Sequence, residues 1–287
     1  MHIHDDADLF REAVNYTMAS TGFLSRLIEK DYFCSLLLEH LAEGNDALFF
    51  KGGTCLAKVH AEFYRLSEDL DFTIPTPVTA SRSERSRRAA GLKTSVIAIA
   101  QRHPIFHLVQ NLTGENNSAQ YTAVLGYTSL VTGQEENIKI QVALREPLLR
   151  PGADVSAHTL LLDPVSDRPM VEPVRVRCIS SLEAFAEKFR AALSRRDAAI
   201  RDFYDVAYAV GKMGLRPDDG DFVDLIRQKL TVPGNEPVDV SESRFILLRR
   251  QTEAQLKPVL RPKDFAEFNP NRAFLLVTEM ARRLAES

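Results

Sequence analysis

The 287-residue sequence predicts an α/β (α+β) chain: a lobe with a mixed sheet over residues 1–179, then a helical lobe over residues 180–287. Three observations lead there. A strand, a Gly-Gly turn, a helix and a second strand follow one another between Ala47 and Ile74. Three strand-like runs separated by turn signals come next and read as an antiparallel meander added to the first two strands. From Ser181 onward the pattern is helical to the C-terminus.

The elements are justified in order. Residues 7–19 and 22–42 place Phe10, Val14, Met18, Phe23, Leu27, Phe33, Leu36, Leu37 and Leu41 at helical spacing. Gly44-Asn45-Asp46 ends the second helix. Ala47–Lys51 is a short buried strand leading into Gly52-Gly53. Thr54–Phe63 is a helix, and Asp69–Ile74 a strand stopped by Pro75. After a loop, Ser81–Arg102 reads as one helix with a basic first half. Phe106–Leu112, Tyr121–Leu130 and Asn137–Leu144 are the meander, parted by Thr113–Asn117 and Thr132–Gln134. Residues 146–170 are loop-rich, with Pro147, Pro151, Gly152 and Pro164, and Val174–Cys178 is a last strand. Ser181–Arg195, Ile200–Lys212, Asp221–Leu230, Glu242–Leu256 and Pro270–Ala285 are the helices of the second lobe. Neither internal repeats nor low-complexity segments occur.

Hydrophobic content of 45% and charged content of 26% fit a soluble globular protein. A net charge of −3 argues against a protein that coats nucleic acid by bulk charge, so a polyanion would need a local basic face. Candidate faces are Arg82, Arg85, Arg87, Arg88 and Lys93, then Arg190, Arg195, Arg196 and Arg201, with smaller pairs at Arg249-Arg250 and Arg282-Arg283. The plainer reading of each is a solvated helix face. Cys34, Cys55 and Cys178 are far apart and odd in number, which suggests buried thiols in a reducing cytosol. No C-x-x-C or His/Cys cluster suggests zinc, and His2 and His4 read as part of a frayed terminus. The segment before Phe10 is acidic without an apolar h-region, and no apolar run approaches the roughly eighteen residues of a membrane span. The expected setting is the cytoplasm, away from membrane.

The richest stretch is Phe49–Phe72, FFKGGTCLAKVHAEFYRLSEDLDF. Asp69 and Asp71 stand at i and i+2 on a strand, so they share a face while Leu70 and Phe72 point to a core. Two adjacent carboxylates repel unless a cation lies between them. Carboxylate-bound Mg²⁺ suits the activation of a hydroxyl and the departure of pyrophosphate. Gly52 and Gly53 let backbone N–H groups approach a phosphate, and Thr54 opens a helix beside the same anion. Lys51 and Lys58 add charge there. A Gly-Gly turn alone is weak evidence, and a lone Asp-x-Asp is more often a solvated strand end. Their order and spacing together mark the entry to a polymerase-beta-like nucleotidyltransferase fold. A second constellation, Leu182–Val210, reads as two helices broken near Arg196-Asp197. Asp202 and Asp205 share a helix face at i, i+3. Pairing with Arg190 or Arg201 is the structural reading; orienting Lys188, which neutralises triphosphate charge, is the functional one.

The run FKGGTCLAKVH…RLSEDLDF, preceded by EKDYF at Glu29–Phe33 and followed by EKFRAALSRRDAAIRDFYDV, resembles the AbiEii/AbiGii toxin family. These are nucleotidyltransferase toxins of type IV toxin–antitoxin and phage-abortive systems, including the mycobacterial MenT-like proteins. The resemblance covers roughly residues 22–210. It implies a polymerase-beta-like N-terminal lobe, Mg²⁺, an NTP donor, an antitoxin partner, and nucleotide addition to the 3′ end of tRNA. Gly52, Gly53 and Thr54 match the family's phosphate-loop motif. Ser67, Asp69 and Asp71 match Ser-x-Asp-x-Asp, Lys188 matches the lysine of the third motif, and Asp202 and Asp205 match Arg-Asp-x-x-Asp.

The sequence departs from many polymerase-beta-like enzymes at Gln141, which stands where a later strand carries a third carboxylate. Either two aspartates suffice, or Asp202 or Asp205 completes the site. On that strand Lys139 is placed to meet donor phosphates. The resulting expectation is that Asp69 and Asp71 bind metal and position the acceptor hydroxyl. The Gly52–Thr54 turn, Ser67, Lys188 and Lys58 or Arg65 hold the NTP, and basic helices receive tRNA or another RNA. The rivals are transfer to a protein or small-molecule hydroxyl, and an inactive fold serving as an interaction module; intact Asp69 and Asp71 argue against the latter.

Overall fold

A computed structural model describes residues 2–286, which form two compact units dividing between Ile179 and Ser180. The first is built on a seven-stranded mixed sheet of order β3-β4-β5-β2-β1-β7-β6. Its strands are β1 (Phe49–Lys51), β2 (Leu70–Thr73), β3 (Phe106–Glu115), β4 (Gln120–Thr128), β5 (Glu135–Ala143), β6 (Ala153–Ala157) and β7 (Val174–Cys178). The meander β3-β4-β5 is antiparallel, as its turn signals predict. It joins the first strands through a parallel β2–β5 pair; β1 then runs antiparallel to β2 and parallel to β7.

Period-2 alternation gives the central strands one apolar face. Phe50, Leu70, Phe72, Ile138, Ile140, Val142, Tyr121, Ala123, Leu125 and Tyr127 are all buried on it. Helix α2 (Ser25–Ala42) follows α1 (Ala7–Thr21), and its Phe33 ring stands 4.5 Å from Tyr127 and 5.6 Å from Phe106. Because α2 is buried along almost its whole length, its charged residues must be paired. Glu29 accepts hydrogen bonds from Ser129 Oγ (2.5 Å) and Leu130 N (2.7 Å), and burial raises its pKa. Lys30 reaches Glu136 at 2.9 Å and Glu68 at 3.3 Å, and Arg26 bridges the same two glutamates. The α2 charges thereby tie the segment just before Asp69 to the start of β5.

The structure corrects several expectations. The helix after the Gly-Gly turn is α3 (Gly52–Cys55) continued by a π turn, Leu56–His60; it stops short of Phe63 because Glu62 and Phe63 take positive φ of 46° and 53°. Asp69 lies one residue ahead of β2. The basic helix divides at Ala89 into α4 (Arg82–Arg88) and α5 (Ala90–Arg102). A seventh strand, β6, at the edge of the sheet, arises inside the expected loop and pairs with β7 from Ala153↔Cys178 to Ala157↔Val174. The N-terminal histidines are not frayed: Ile3–Asp5 forms a 3-10 turn, and His4 Nδ1 lies 2.7 Å from the Tyr32 hydroxyl.

The second unit contains α6 (Ser181–Ser194), α7 (Ile200–Lys212), α8 (Gly220–Leu230), α9 (Glu242–Gln251), α10 (Pro262–Glu267) and α11 (Pro270–Glu286). Ser180, Asp219 and Ser241 accept backbone N–H groups as N-caps of α6, α8 and α9. Its core includes Phe189 against Phe222 and Phe203 stacked on Phe274 at 5.9 Å. Among the described residues no helix is long and apolar enough to cross a membrane.

Candidate active site

Opposite the apolar face, alternation puts polar side chains on the same central strands. Asp71 is flanked in register by Lys51 on β1 and Gln141 on β5. Asp69, one step before β2, receives the Lys139 backbone N–H at 3.4 Å, and its other oxygen is 3.8 Å from Lys139 Nζ. Asp69 and Asp71 therefore share a face as their spacing predicts. The Asp69 and Lys139 side chains are each 42% exposed, so the pair is wet and its attraction modest.

The glycine loop is pressed against this carboxylate. Gly52 takes φ +76°, and a Cβ there would overlap the Asp71 carboxylate. At Gly53 a Cβ would come within 2.7 Å of Arg65 Nη2 and 2.9 Å of Ser67 Oγ. Both glycines are thus required by close approach, one to Asp71 and one to the Arg65–Ser67 segment. Thr54 is buried, and its hydroxyl donates to the Asp69 carbonyl oxygen. That bond fixes the loop to the start of the Asp-x-Asp strand. It gives the Thr54 side chain a positioning role rather than the anion contact expected of it.

Two expected triphosphate contacts are otherwise engaged. Lys58 is 2% exposed, and its ammonium lies 2.6 Å from Asp31 Oδ1 and 2.8 Å from Ser35 Oγ on α2. A buried lysine neutralised by a buried aspartate is a structural pair, which corrects its assignment to the nucleotide. Arg65 is also buried; it donates to the Leu66 carbonyl at 3.0 Å and lies over the Tyr64 ring. Its guanidinium supports Gly53 from within. These roles were hidden in sequence, because Asp31 belongs to a different helix from Lys58.

In the helical unit, Lys188 Nζ stands 3.0 Å from Asp202 and 2.8 Å from Asp205, so both aspartates hold the lysine. Asp202 also takes Arg195 at 3.3 Å. The Asp205 side chain is fully buried and Asp202 nearly so, while Lys188 keeps 13% exposure. Arg190, by contrast, is buried beside Glu187. Of the α4 arginines, Arg88 bonds Glu84 and the Pro75 carbonyl and Arg85 bonds the Val78 carbonyl; Arg82 and Arg87 are exposed. Lys93 lies over Tyr121, apart from that row.

One cluster went unseen in sequence. Cys55 at the end of α3, His60 at the end of the π turn and Cys178 at the end of β7 bring their ligand atoms within 4.8 Å of one another. No short spacing motif announces it, because β1–β7 pairing creates it. All three cysteines are buried thiols, as their apolar contexts predict.

Known proteins resemble this chain in family and in fold. The family described as nucleotidyl transferase AbiEii toxin, type IV TA system, matches residues 36–276. No curated protein matches the chain in sequence. Among solved structures, JHP933 from Helicobacter pylori is similar at a TM-score of 0.52 and 13% identity, covering 92% of this chain and 94% of its own. A second H. pylori structure, of a candidate nucleotidyltransferase, has a TM-score of 0.51 and 13% identity, with 92% and 96% covered. The nucleotidyltransferase toxin MenT4 from Mycobacterium tuberculosis has a TM-score of 0.43 and 16% identity, with 95% and 97% covered. The H. pylori likenesses concern the fold; the match over most of the chain concerns the family. The chain belongs to the AbiEii family of nucleotidyltransferase toxins from type IV toxin–antitoxin systems.

Proposed function

We propose that the chain uses Mg²⁺ to transfer a nucleoside monophosphate from an NTP to an RNA, the 3′ end of tRNA, and that this cytoplasmic reaction blocks translation until a cognate antitoxin restrains it. The observation carrying this reading is the placement of Gly52 directly against the Asp71 carboxylate, with Asp69 on the same face. Hard oxygen donors that are partly exposed and adjacent fit Mg²⁺, and Asp69 and Asp71 would hold it. The ion would supply charge neutralisation for the triphosphate and acidify the acceptor hydroxyl.

In the reaction the acceptor hydroxyl oxygen forms a bond to the α-phosphorus and releases its proton to water, while the bond from the α-phosphorus to the α–β bridging oxygen breaks and pyrophosphate leaves with the electron pair. Asp69 and Asp71 orient the acceptor side. Gly52, Gly53 and Ser67 line the donor side, with Lys139 as the cation beside Asp69. Lys188 is held by Asp202 and Asp205 but, unlike Lys58, keeps 13% exposure; with its motif match, that supports a triphosphate contact. Residues 1–179 are read as the nucleotidyltransferase lobe and residues 180–287 as the helical lobe.

The test incubates the full chain with Mg²⁺, each α-labelled NTP and total RNA, then separates RNA, protein and small molecules. Label at RNA 3′ ends, lost in Asp71→Asn, is the expected result. Label in protein or in a small molecule would move the acceptor to another class. No transfer with any NTP would favour an interaction module.

A further inference from the structure

We propose that Cys55, His60 and Cys178 form a Zn²⁺-binding site, separate in ligand chemistry from the carboxylate face. The donors come from three different elements and converge within 4.8 Å of one another, with Cys178 Sγ 3.8 Å from His60 Nε2. Zinc bonds of about 2.3 Å to sulfur and 2.0–2.1 Å to nitrogen, at tetrahedral angles, place such atoms about 3.5–3.8 Å apart. The set therefore closes on the ion with shifts of a few tenths of an ångström to about 1 Å. Two thiols and an imidazole are a soft donor set that suits zinc and is foreign to Mg²⁺.

The surroundings distinguish these thiols from an ordinary buried cysteine. Cys34 is buried with its Sγ 3.9 Å from the Glu68 carbonyl, and that burial pushes its thiol up to about 12. Cys178 is also buried, but its Sγ stands 3.8 Å from His60 Nε2, with the Cys55 thiol inside the same 4.8 Å cluster. The ligating form of cysteine is the thiolate, which metal binding generates by releasing the thiol proton to water. His60 is only half-buried, which leaves a route for the ion and for a water as fourth ligand. His60 Nε2 is 3.1 Å from the Ile179 carbonyl; metal capture moves the ring proton to Nδ1 and exchanges that hydrogen bond for the metal bond.

Zinc here would tie the helix that begins with Gly52-Gly53-Thr54 to β7, in addition to the β1–β7 pairing. Binding to the folded chain alone also raises its stability.

Full-length protein, purified under reducing and anaerobic conditions and loaded with zinc, is desalted and weighed by native mass spectrometry. One retained zinc per chain is expected, with loss of the ion and a lower Tm after chelation. Cys178→Ser and Cys55→Ser should each lose the zinc and the chelator-sensitive part of Tm. Asp69→Asn, which disables the proposed Mg²⁺ site, should keep it. Should the cysteine variants fail to fold, Co²⁺ added to the wild-type chain gives the readout through its thiolate-to-cobalt charge-transfer band. Absence of retained zinc or of that band overturns the proposal. So does zinc retained equally by folded cysteine variants, or lost in Asp69→Asn. A Cys55–Cys178 disulfide, two hydrogens lighter and formed despite zinc, overturns it as well.

Discussion

Lys58 and Lys139 each face an aspartate in the same unit, and they show how differently one ion pair can be used. Lys58 and Asp31 are both buried, 2.6 Å apart, and their remaining polar atoms are satisfied by Ser35 and the Leu160 N–H. Lys139 and Asp69 are 3.8 Å apart and half open to water. The first pair holds the π turn to α2 and has nothing left for a ligand. The second is loose and exposed, so an incoming phosphate or cation can exchange for either partner at little cost. A lysine near a nucleotide motif is therefore assigned by what already satisfies it, not by its distance from the motif in sequence.

The largest expected effect tests the closed pair. Lys58→Met strands Asp31 in the core and should cost about 3–5 kcal/mol of stability, read as a fall in the urea midpoint. Adding Asp31→Asn should recover part of that loss. A small change in Lys58→Met, or weakened NTP binding by its folded fraction, would break the comparison.

The open face comes next. Asp69→Asn and Asp71→Asn should each slow transfer about 100-fold or more, the rate equivalent of several kcal/mol of lost charge stabilisation. Their unfolding midpoints should stay near wild type, since Asp69 is wet and its pair weak. Transfer at wild-type rates by either variant would remove the metal assignment. Lys139→Ala sharpens the same point. It should change stability by less than about 1 kcal/mol while weakening NTP use by about 1.5–3 kcal/mol, measured as kcat/KM.

The smallest expected effect concerns a buried imidazole. Burial first, then the neighbouring His40 and His2, depress His103 from 6.5 to about 4. The unfolded chain therefore binds a proton that the folded chain refuses between those values. Stability should fall as pH drops from about 6.5 to about 4 and be unaffected above it. His103→Phe, which keeps a ring beside Phe106, should flatten that acid limb in urea midpoints taken at pH 7 and pH 5. An unchanged slope would assign it to other groups.

Much of the fold was legible because its signals are local. Gly52-Gly53 punctuates the chain, Leu70 and Phe72 alternate with Asp69 and Asp71, and Asn116-Asn117 turns the first hairpin of the meander. What was illegible depends on distant partners. β6 carries a single strong strand former, Val155, and is a strand because β7 supplies its hydrogen bonds. The roles of Lys58 and Arg65 are fixed by α2 and by Gly53. The Cys55–His60–Cys178 cluster exists only once Phe50 pairs with Cys178. Glu29, Lys30 and Asp31 are adjacent in sequence, yet each anchors a different segment of the sheet unit through a partner distant along the chain.

The position of β1 between β2 and β7 sets a timetable for synthesis. A ribosome delivers Gly52 through Asp71 early, but β1 remains an open edge until Val174–Cys178 emerges much later. Pairings so far apart along the chain close slowly, and the waiting edge is exposed to misassembly. A nascent chain thus carries the whole Asp-x-Asp motif for most of its translation without a finished sheet to present it. Premature termination between Asp71 and Val174 would leave those residues on a sheet that lacks the β7 partner of β1.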